Sequence, residues 1–197
     1  MEHDSILANV AKHISLNEKE TASFVARLKL KNLKKKEFVL KAGQPCTTIN
    51  YVHSGSLRSF YENNKGSSET TIMFAVADWW ITDMPCFINQ LPAMTSIEAL
   101  DDCCIFQLSK EDLDTLYIEV PKFERFFRIL IQNAYVREQL RTLQNLSLPA
   151  EERYNKFLMK YPDMAKRLTQ KQIASYLGIT PEFLSVLRKK ITKGIIS

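Results

Sequence analysis

The segment that most constrains this chain is residues 169–188, TQKQIASYLGITPEFLSVLR, which has the spacing of a helix-turn-helix. Ala174 stands where two helices would cross closely, and Gly178 suits a turn that needs a positive φ. Five apolar residues recur at the spacing that packs the two helices together: Ile173, Leu177, Ile179, Leu184 and Leu187. An ordinary helical hairpin in a small core is the plainer alternative, but the coincidence of these signals favours a DNA-reading motif.

Both helices of this segment carry start signals. Thr169 and Gln172 form a capping-box pattern for the first helix. Thr180 suits the N-cap of the second helix, and Pro181 suits its first position. The sequence therefore predicts one helix from about residue 170 and another from residue 181.

The charge distribution agrees with nucleic-acid binding. The chain has 27 Lys and Arg against 22 Asp and Glu, a net charge of +5. From Ala150 onward there are 10 basic and 4 acidic residues, a net +6, whereas the remainder carries 17 and 18, a net −1. A basic cluster follows the second helix, namely Arg188, Lys189, Lys190 and Lys193. Such a run is often a solvated face, but beside a helix-turn-helix it favours phosphate contact.

Length and composition set the broad class. With 197 residues, 45% of them hydrophobic, the chain can bury a core in one or two domains. The polar start and the lack of a long apolar run predict a cytoplasmic protein with no membrane partner. The four cysteines, Cys46, Cys86, Cys103 and Cys104, include no CxxC pair. A buried structural role for Cys103 and Cys104 is favoured over a redox switch.

Short strand patterns follow one or two amphipathic helices within residues 5–30, the second beginning with the capping-box pattern Ser15–Glu18. Six strands are predicted: Phe38–Leu40, Ile49–His53, Ser56–Glu62, Thr70–Ala75, Thr95–Leu100 and Cys103–Leu108. Turn signals at Gly43, Gly55 and Asn63–Gly66 separate several of them. This spacing favours a small barrel or roll.

Helices return after the last strand. Ser109 caps a short helix, and Pro121 begins a long one that runs to about Leu146. Its heptads predict a dimer seam with a single polar residue, formed by Phe126, Ile129, Asn133, Val136, Leu140 and Leu143. The alternative is that this helix packs only on its own domain. Ser147–Pro149 ends it, and Gly194 is a C-cap candidate at the end of the last helix.

This order of elements resembles the catabolite activator (CRP/FNR) family of bacterial transcription regulators. The best matches are Lys41–Gly43, Val52–Arg58 and Leu168–Arg188. The resemblance implies an α+β protein with an N-terminal β-roll and flanking helices over residues 1–118, a long dimerisation helix over 119–146, and a C-terminal helix-turn-helix domain over 147–197. It implies a homodimer that binds double-stranded DNA and RNA polymerase.

The resemblance also indicates a divergent effector site. Members that bind cyclic AMP carry a Gly-Glu pair, whose Glu takes the ribose hydroxyl, and an Arg-Ser pair that holds the cyclic phosphate. Here Thr82 and Asp83 stand at the first pair, and Met94 and Thr95 near the second. No Arg or Lys lies between Lys65 and Lys110, so cyclic AMP is not expected to bind.

The candidate effector pocket comprises Trp80, Thr82, Asp83, Met84, Met94 and Thr95. Either it binds an unknown apolar effector, or its side chains are core residues of a roll that has lost its ligand. An iron–sulfur cluster is disfavoured because no cysteine precedes Cys46. His53 is interpreted as a strand residue rather than a haem ligand, so no cofactor is expected.

For DNA, the resemblance implies that the start of the second helix reads the major groove. The candidate contacts are Thr169, Gln170, Thr180, Pro181, Glu182, Ser185, Arg188 and Lys189. Glu182 matches a family Glu that accepts from cytosine N4, whereas Pro181 and Val186 replace contacting arginines of the best-known members.

Two other functions are alternatives to DNA-dependent regulation. A metal-dependent oxygenase needs two or three converging histidines, but the roll contains one, so an enzyme is not expected. A ligand-sensing module that acts through a protein partner without DNA remains the alternative, although the basic C-terminal segment argues against it.

Overall fold

The computed structural model describes residues 3–62 and 68–192, and the chain forms two compact units. The first unit comprises Met1–Glu62 and Ile72–Asn133, and the second comprises Asn63–Thr71 and Ala134–Ser197. The division between the units therefore falls inside the long helix. The Asn63–Gly66 turn, Lys193 and the Gly194 C-cap candidate lie outside the described residues.

Antiparallel strands build the roll. The described strands are β1 Lys29–Leu33, β2 Phe38–Leu40, β3 Thr48–Ser54, β4 Ser56–Glu62, β5 Glu69–Val76, β6 Trp80–Ile81, β7 Ser96–Ala99 and β8 Cys103–Ser109. They form one sheet in the order β1-β8-β3-β6 and another in the order β2-β7-β4-β5. The predicted α+β class with a β-roll is confirmed.

Helices flank the roll and make up most of the second unit. They are α1 Asp4–Ala11, α2 Glu18–Val25, α3 Met84–Asn89, α4 Lys110–Glu119, α5 Lys122–Ser147, α6 Ala150–Lys160, α7 Pro162–Arg167, α8 Gln170–Leu177 and α9 Pro181–Thr192. The long helix matches the prediction to within a residue at each end. Ser109 caps α4 as expected, since its hydroxyl accepts from the Asp112 amide over 3.0 Å.

The structure corrects the sequence prediction in several places. All six predicted strands are present, but β1 begins inside the stretch read as helix, and β6 and α3 were not foreseen. The cap of α2 is Asn17 rather than Ser15. The Asn17 side chain accepts from the Glu20 amide over 2.9 Å, and Glu20 accepts in return from the Asn17 amide over 2.8 Å. The amide oxygen of Asn is as good a cap as a hydroxyl, which explains the shift.

An aromatic cluster fixes the first two turns of α5 in the first unit. The rings of Phe126 and Phe127 meet edge to face at 5.1 Å, and Trp80 lies edge-on to both at 6.0 and 5.5 Å. Phe123 packs on Phe24 of α2 at 4.7 Å. Phe123 and Phe126 are fully buried, so this part of α5 belongs to the core.

A polar contact network fastens α1 to the roll. Asn9, itself buried, accepts from the Trp80 indole N–H over 2.9 Å and donates to the Asp78 carboxylate over 2.9 Å. Lys12 and the Tyr51 hydroxyl bind the same carboxylate. Burial opposes ionisation of Asp78, but the hydrogen bonds from Lys12 and Asn9 outweigh it and lower the pKa of this carboxyl.

Three of the four cysteines agree with a buried structural role, whereas Cys104 is half-buried. Cys46, Cys86 and Cys103 are buried, and the four thiols carry no disulfide. Burial, aided by the nearby Asp101 carboxylate, raises the pKa of Cys103 to about 12. A thiol that stays protonated at neutral pH is a poor nucleophile, which disfavours a redox role for Cys103.

Two turn glycines have the same backbone conformation and different surroundings. Gly43 and Gly55 have φ of +84° and +82°, where a Cβ is strained. A Cβ on Gly55 would lie 2.4 Å from Cys103 Cβ and 2.6 Å from the Asp102 carbonyl, whereas one on Gly43 would meet nothing within 4 Å. Only Gly55 therefore adds a packing requirement to the backbone requirement.

We expect Gly55→Ala to lower the free energy of unfolding by about 2–4 kcal/mol, because backbone strain and overpacking add together. Gly43→Ala is the matched control and should cost about 1 kcal/mol from strain alone. Urea unfolding of both variants measures the difference. Equal losses in the two variants would contradict the role assigned to the β8 contact.

Candidate functional site

The helix-turn-helix forms as the sequence predicts. Gly178 joins α8 to α9 with φ +66°, in the left-handed region. Thr169 and Gln172 make the capping box: the Gln172 amide donates to the Thr169 hydroxyl over 3.2 Å, and the Thr169 amide donates to Gln172 Oε1 over 3.0 Å. Thr180 caps α9 by accepting from the Phe183 amide over 3.2 Å.

The inner faces of the two helices form a small core. Five side chains of α8 and α9 are buried: Ile173, Ala174, Leu177, Leu184 and Leu187. The Ile179 amide donates to the Ala174 carbonyl over 3.0 Å, which closes the turn. A fully buried alanine where the helices approach is what the sequence pattern predicted.

The outer face of α9 combines charge with apolar surface. Five of its residues are exposed: Glu182, Phe183, Val186, Lys189 and Lys190. Pro181 and Ser185 are half-buried, and Thr169, Gln170 and Thr180 are exposed at the starts of the two helices. Sequence reasoning did not identify Phe183 as a contact residue. The signal for it is that Phe183 lies three residues before Val186 and that neither residue takes a position of the buried pair Leu184 and Leu187.

Arg188 is engaged within its own unit. Its Nε donates to the Tyr154 hydroxyl over 2.9 Å, and its guanidinium lies 5.9 Å from the centre of that ring. The side chain therefore ties α9 to α6, whereas Lys189 next to it points into solvent. Of the two residues assigned to phosphate contact, Lys189 is the more accessible.

At the candidate effector site, Asp83 binds the chain itself. One oxygen of its carboxylate, Oδ2, accepts from the Met94 amide over 2.9 Å, the Thr95 amide over 2.8 Å and the Thr95 hydroxyl over 2.9 Å. Asp83 is only 5% exposed. Three donors at the end of the segment that follows α3 thus converge on a single buried carboxylate oxygen.

The backbone around this contact is also held in place. The Gly43 amide donates to the Ala93 carbonyl over 2.7 Å, and the Ala93 amide donates to the Gln44 carbonyl over 2.8 Å. The Ser96 hydroxyl accepts from the Ala42 amide over 3.0 Å. The Gly43 turn and residues 93–96 therefore form one hydrogen-bonded unit next to Asp83.

Apart from Met94 and Thr95, the candidate pocket residues have contacts with partners other than Asp83. Trp80 packs in the aromatic cluster and bonds to Asn9. The Thr82 hydroxyl donates to the Thr48 carbonyl over 2.9 Å. Met84 is partly buried against the core, whereas Met94 is 53% exposed. The structure thus brings together Asp83, Met94 and Thr95 and gives Trp80 and Thr82 structural partners.

Two arginines outside the stretch from Lys65 to Lys110, Arg58 and Arg128, could in principle neutralise a phosphate, but both have other partners. Arg58 is buried, its Nε donates to Glu98 over 2.6 Å, and its guanidinium lies 4.1 Å from the centre of the Phe60 ring. Arg128 donates to Gln132 over 3.0 Å on the exposed side of α5. A buried ion pair such as Arg58–Glu98 is costly to break, since either charge alone would be uncompensated.

Two further kinds of site are absent from the described residues, a metal centre and a membrane-spanning helix. Within residues 3–62 and 68–192, no group of three or more His, Cys, Asp or Glu side chains is arranged to hold a metal ion. His53 shares a 2.6 Å hydrogen bond with Ser5 and lies edge-on to Phe106. No helix in the described part of the chain has both the length and the apolar character to span a bilayer.

The predicted seam on α5 divides into two parts. Phe126 is fully buried in the first unit, so it cannot face a second copy, and Ile129 is half-buried. The remaining positions are exposed, namely Asn133, Val136, Leu140 and Leu143. The assignment of Phe126 fails because the heptad pattern does not distinguish a core-facing helix turn from a partner-facing one.

Comparison with known proteins agrees with this architecture. The cyclic nucleotide-binding domain family matches residues 30–119. An anaerobic regulatory protein of Haemophilus influenzae is 24% identical over 98% of this chain and 79% of its own length. The solved c-di-GMP-responsive global regulator CLP of Xanthomonas campestris is 17% identical, with a TM-score of 0.72 over 90% of this chain and 93% of that chain.

A solved CRP/FNR-family transcriptional regulator from Eubacterium rectale has a TM-score of 0.73 at 18% identity, covering 92% of this chain and 87% of that chain. These relatives are regulators rather than enzymes. The roll, the long helix and the C-terminal helices occur in the order that the family requires. The chain therefore contains a cyclic nucleotide-binding domain at residues 30–119 and shares its fold with solved regulators of the CRP/FNR family.

Proposed function

We propose that this chain is a dimeric, sequence-specific DNA-binding regulator whose sensor domain does not take cyclic AMP. The observation that carries the DNA proposal is the α8–α9 pair: a buried inner face, a Gly178 turn, and an outer face that presents Glu182 and Lys189 to solvent. In this motif the second helix enters the major groove and its N-terminal residues lie closest to the base edges.

Different residues are proposed to contact the bases and the phosphates. Glu182, in the first turn of α9, has a carboxylate that can accept from cytosine N4, and Ser185 lies one turn later. Thr169 and Gln170 are exposed where the amides of α8 point outward, which suits a phosphate. Lys189 supplies a cation near the other end of the reading surface.

We expect Glu182→Ala to relax the preference at one base pair, with a loss of discrimination of about 1–3 kcal/mol. Lys189→Ala should instead weaken binding to all sequences alike and lower the salt slope by about one. Site selection followed by gel shifts at several salt concentrations measures both effects. Lys156→Ala, an exposed cation on α6, serves as the control. Unchanged specificity in Glu182→Ala would show that α9 is oriented differently.

The dimer proposal is carried by apolar surface left uncovered on α5. Val136, Leu140 and Leu143 are 55%, 52% and 60% exposed, and they recur at heptad spacing. A continuous apolar stripe on a helix is costly in water, and a second copy would cover it. A two-fold dimer would also present two α9 helices to two half-sites, as this motif usually requires.

We expect Val136→Glu combined with Leu140→Glu to give a monomer that has lost specific DNA binding, because the charges would be buried in the seam. Thr142→Glu with Asn145→Glu places the same charges on exposed positions off the seam and should leave the dimer intact. Sedimentation and gel shifts of both double variants are the measurements. A stable dimer in the first variant would exclude this seam.

The hydrogen bonds of Asp83 support the proposal that the sensor domain does not bind cyclic AMP. The donors that end the α3 segment, the amides of Met94 and Thr95 and the Thr95 hydroxyl, already bind a carboxylate of the chain. By the family resemblance, Met94 and Thr95 lie near the position of the Arg-Ser pair that holds the cyclic phosphate in members that bind cyclic AMP. An anion entering there would meet the negative charge of Asp83 and no free arginine from the α3 segment.

We expect cyclic AMP to bind at least two orders of magnitude more weakly than a micromolar effector, because a charge-assisted hydrogen bond contributes about 1.5–3 kcal/mol and its loss also leaves an anion desolvated. Calorimetric titration of the wild-type protein measures this, with a DNA gel shift at each nucleotide concentration. Micromolar binding that raises DNA affinity would refute the proposal.

The other candidate function, a sensing module that acts through a protein without DNA, remains distinguishable. It predicts no salt-dependent shift of genomic fragments by the wild-type dimer. Contact with RNA polymerase is part of the proposed regulation, and it is tested by co-purification on a promoter fragment that the protein binds.

A further inference from the structure

The outer face of α9 exposes two large apolar side chains that the helix does not need for its own packing. Phe183 and Val186 are 49% and 48% exposed. The side of α9 that packs in the core of this unit is formed by Leu184 and Leu187, which are buried. Residues three apart on a helix are neighbours, so Phe183 and Val186 form one apolar surface.

This surface lies within the reading face rather than apart from it. Glu182 precedes it in the first turn of α9, and exposed Lys189 follows Val186 by one turn. A carboxylate and a lysine thus flank the two apolar side chains along the same helix. A protein-docking patch is larger and not centred on a short basic helix, whereas the +6 charge of residues 150–197 complements a polyanion.

The major groove offers one apolar group, the C5-methyl of thymine. A phenyl ring or a valine presented there gains no hydrogen bond, but it removes apolar surface from water by packing on that methyl. An apolar side chain opposite another base edge would instead desolvate a donor or an acceptor without a partner. The chemistry of this surface therefore selects thymine.

We propose that Phe183 and Val186 are specificity-determining residues that contact thymine methyl groups, so that the operator carries thymine at the positions each of them faces. This inference rests on the proposed DNA binding. Together with Glu182 it describes a reading helix that combines one carboxylate contact with apolar contacts, in place of the arginines that Pro181 and Val186 replace.

The test uses full-length protein and a duplex obtained by site selection. Each thymine of the duplex is replaced in turn by deoxyuridine, which removes the methyl group and keeps the hydrogen-bonding edge. Burial of one methyl group corresponds to about a fourfold change in affinity. We expect single replacements at no fewer than two different thymines of each half-site each to weaken binding by the wild-type protein about fourfold.

Alanine variants of Phe183 and Val186 identify which side chain contacts which thymine. Val186→Ala should lose the deoxyuridine effect at one thymine and Phe183→Ala at another, while each keeps the effect at the remaining site. Met159→Ala, which removes an exposed apolar side chain from α6, should behave as wild type. Since Phe183 and Val186 are both half-exposed, melting temperatures close to wild type are expected and identify any variant that fails to fold.

The outcomes distinguish a failure of the thymine assignment from a failure of the proposed DNA binding. If the wild-type protein selects a duplex but every deoxyuridine replacement leaves its affinity unchanged, the thymine assignment is wrong and the DNA-binding proposal survives. The assignment is also overturned if both variants keep every deoxyuridine effect. If the wild-type protein shifts no duplex at all, the proposed function itself fails.

Discussion

The aromatic cluster at the start of α5 is the contact that holds this helix to the roll. Phe123, Phe126 and Phe127 lie against Trp80 and Phe24, which makes the first two turns of α5 part of the roll's core. Beyond Asn133 the same helix carries apolar side chains that stay exposed. The helix therefore divides into a part that packs in the roll and a part with exposed apolar side chains, which the proposed dimer would cover.

In the β-roll, main-chain donors at the candidate effector site are hydrogen-bonded by a side chain of the same chain. Buried main-chain amides that bind no ligand need another hydrogen-bond acceptor. At residues 94–95 that requirement is met by Asp83 from the start of α3, and the Gly43 turn holds the adjacent backbone. The carboxylate supplies the negative charge that a ligand phosphate would otherwise bring. The roll can thus keep its architecture without an anionic effector.

The helix-turn-helix distributes its residues by face. The buried side of α9 is fixed by packing against α8, with Ala174 at the crossing and Gly178 in the turn. Arg188 is drawn to the Tyr154 hydroxyl of α6, which leaves Lys189 as the more accessible cation. The reading surface that remains has an acid and two apolar residues near the start of the helix. In the proposed complex with DNA, this composition would favour contacts with cytosine and thymine over the guanine contacts that arginine makes.

The sequence by itself determined the elements whose causes are local: the capping box at Thr169, the positive φ at Gly178, the six strands and the length of α5. Tertiary structure decided which faces are used. Heptad spacing placed Phe126 and Val136 on one seam, but only the position of Trp80 shows that Phe126 is core. The sequence marked Asp83 as a ligand acceptor, and only the folded segment shows that Thr95 occupies it, because hydrogen-bond partners distant in sequence are chosen by packing rather than by local pattern.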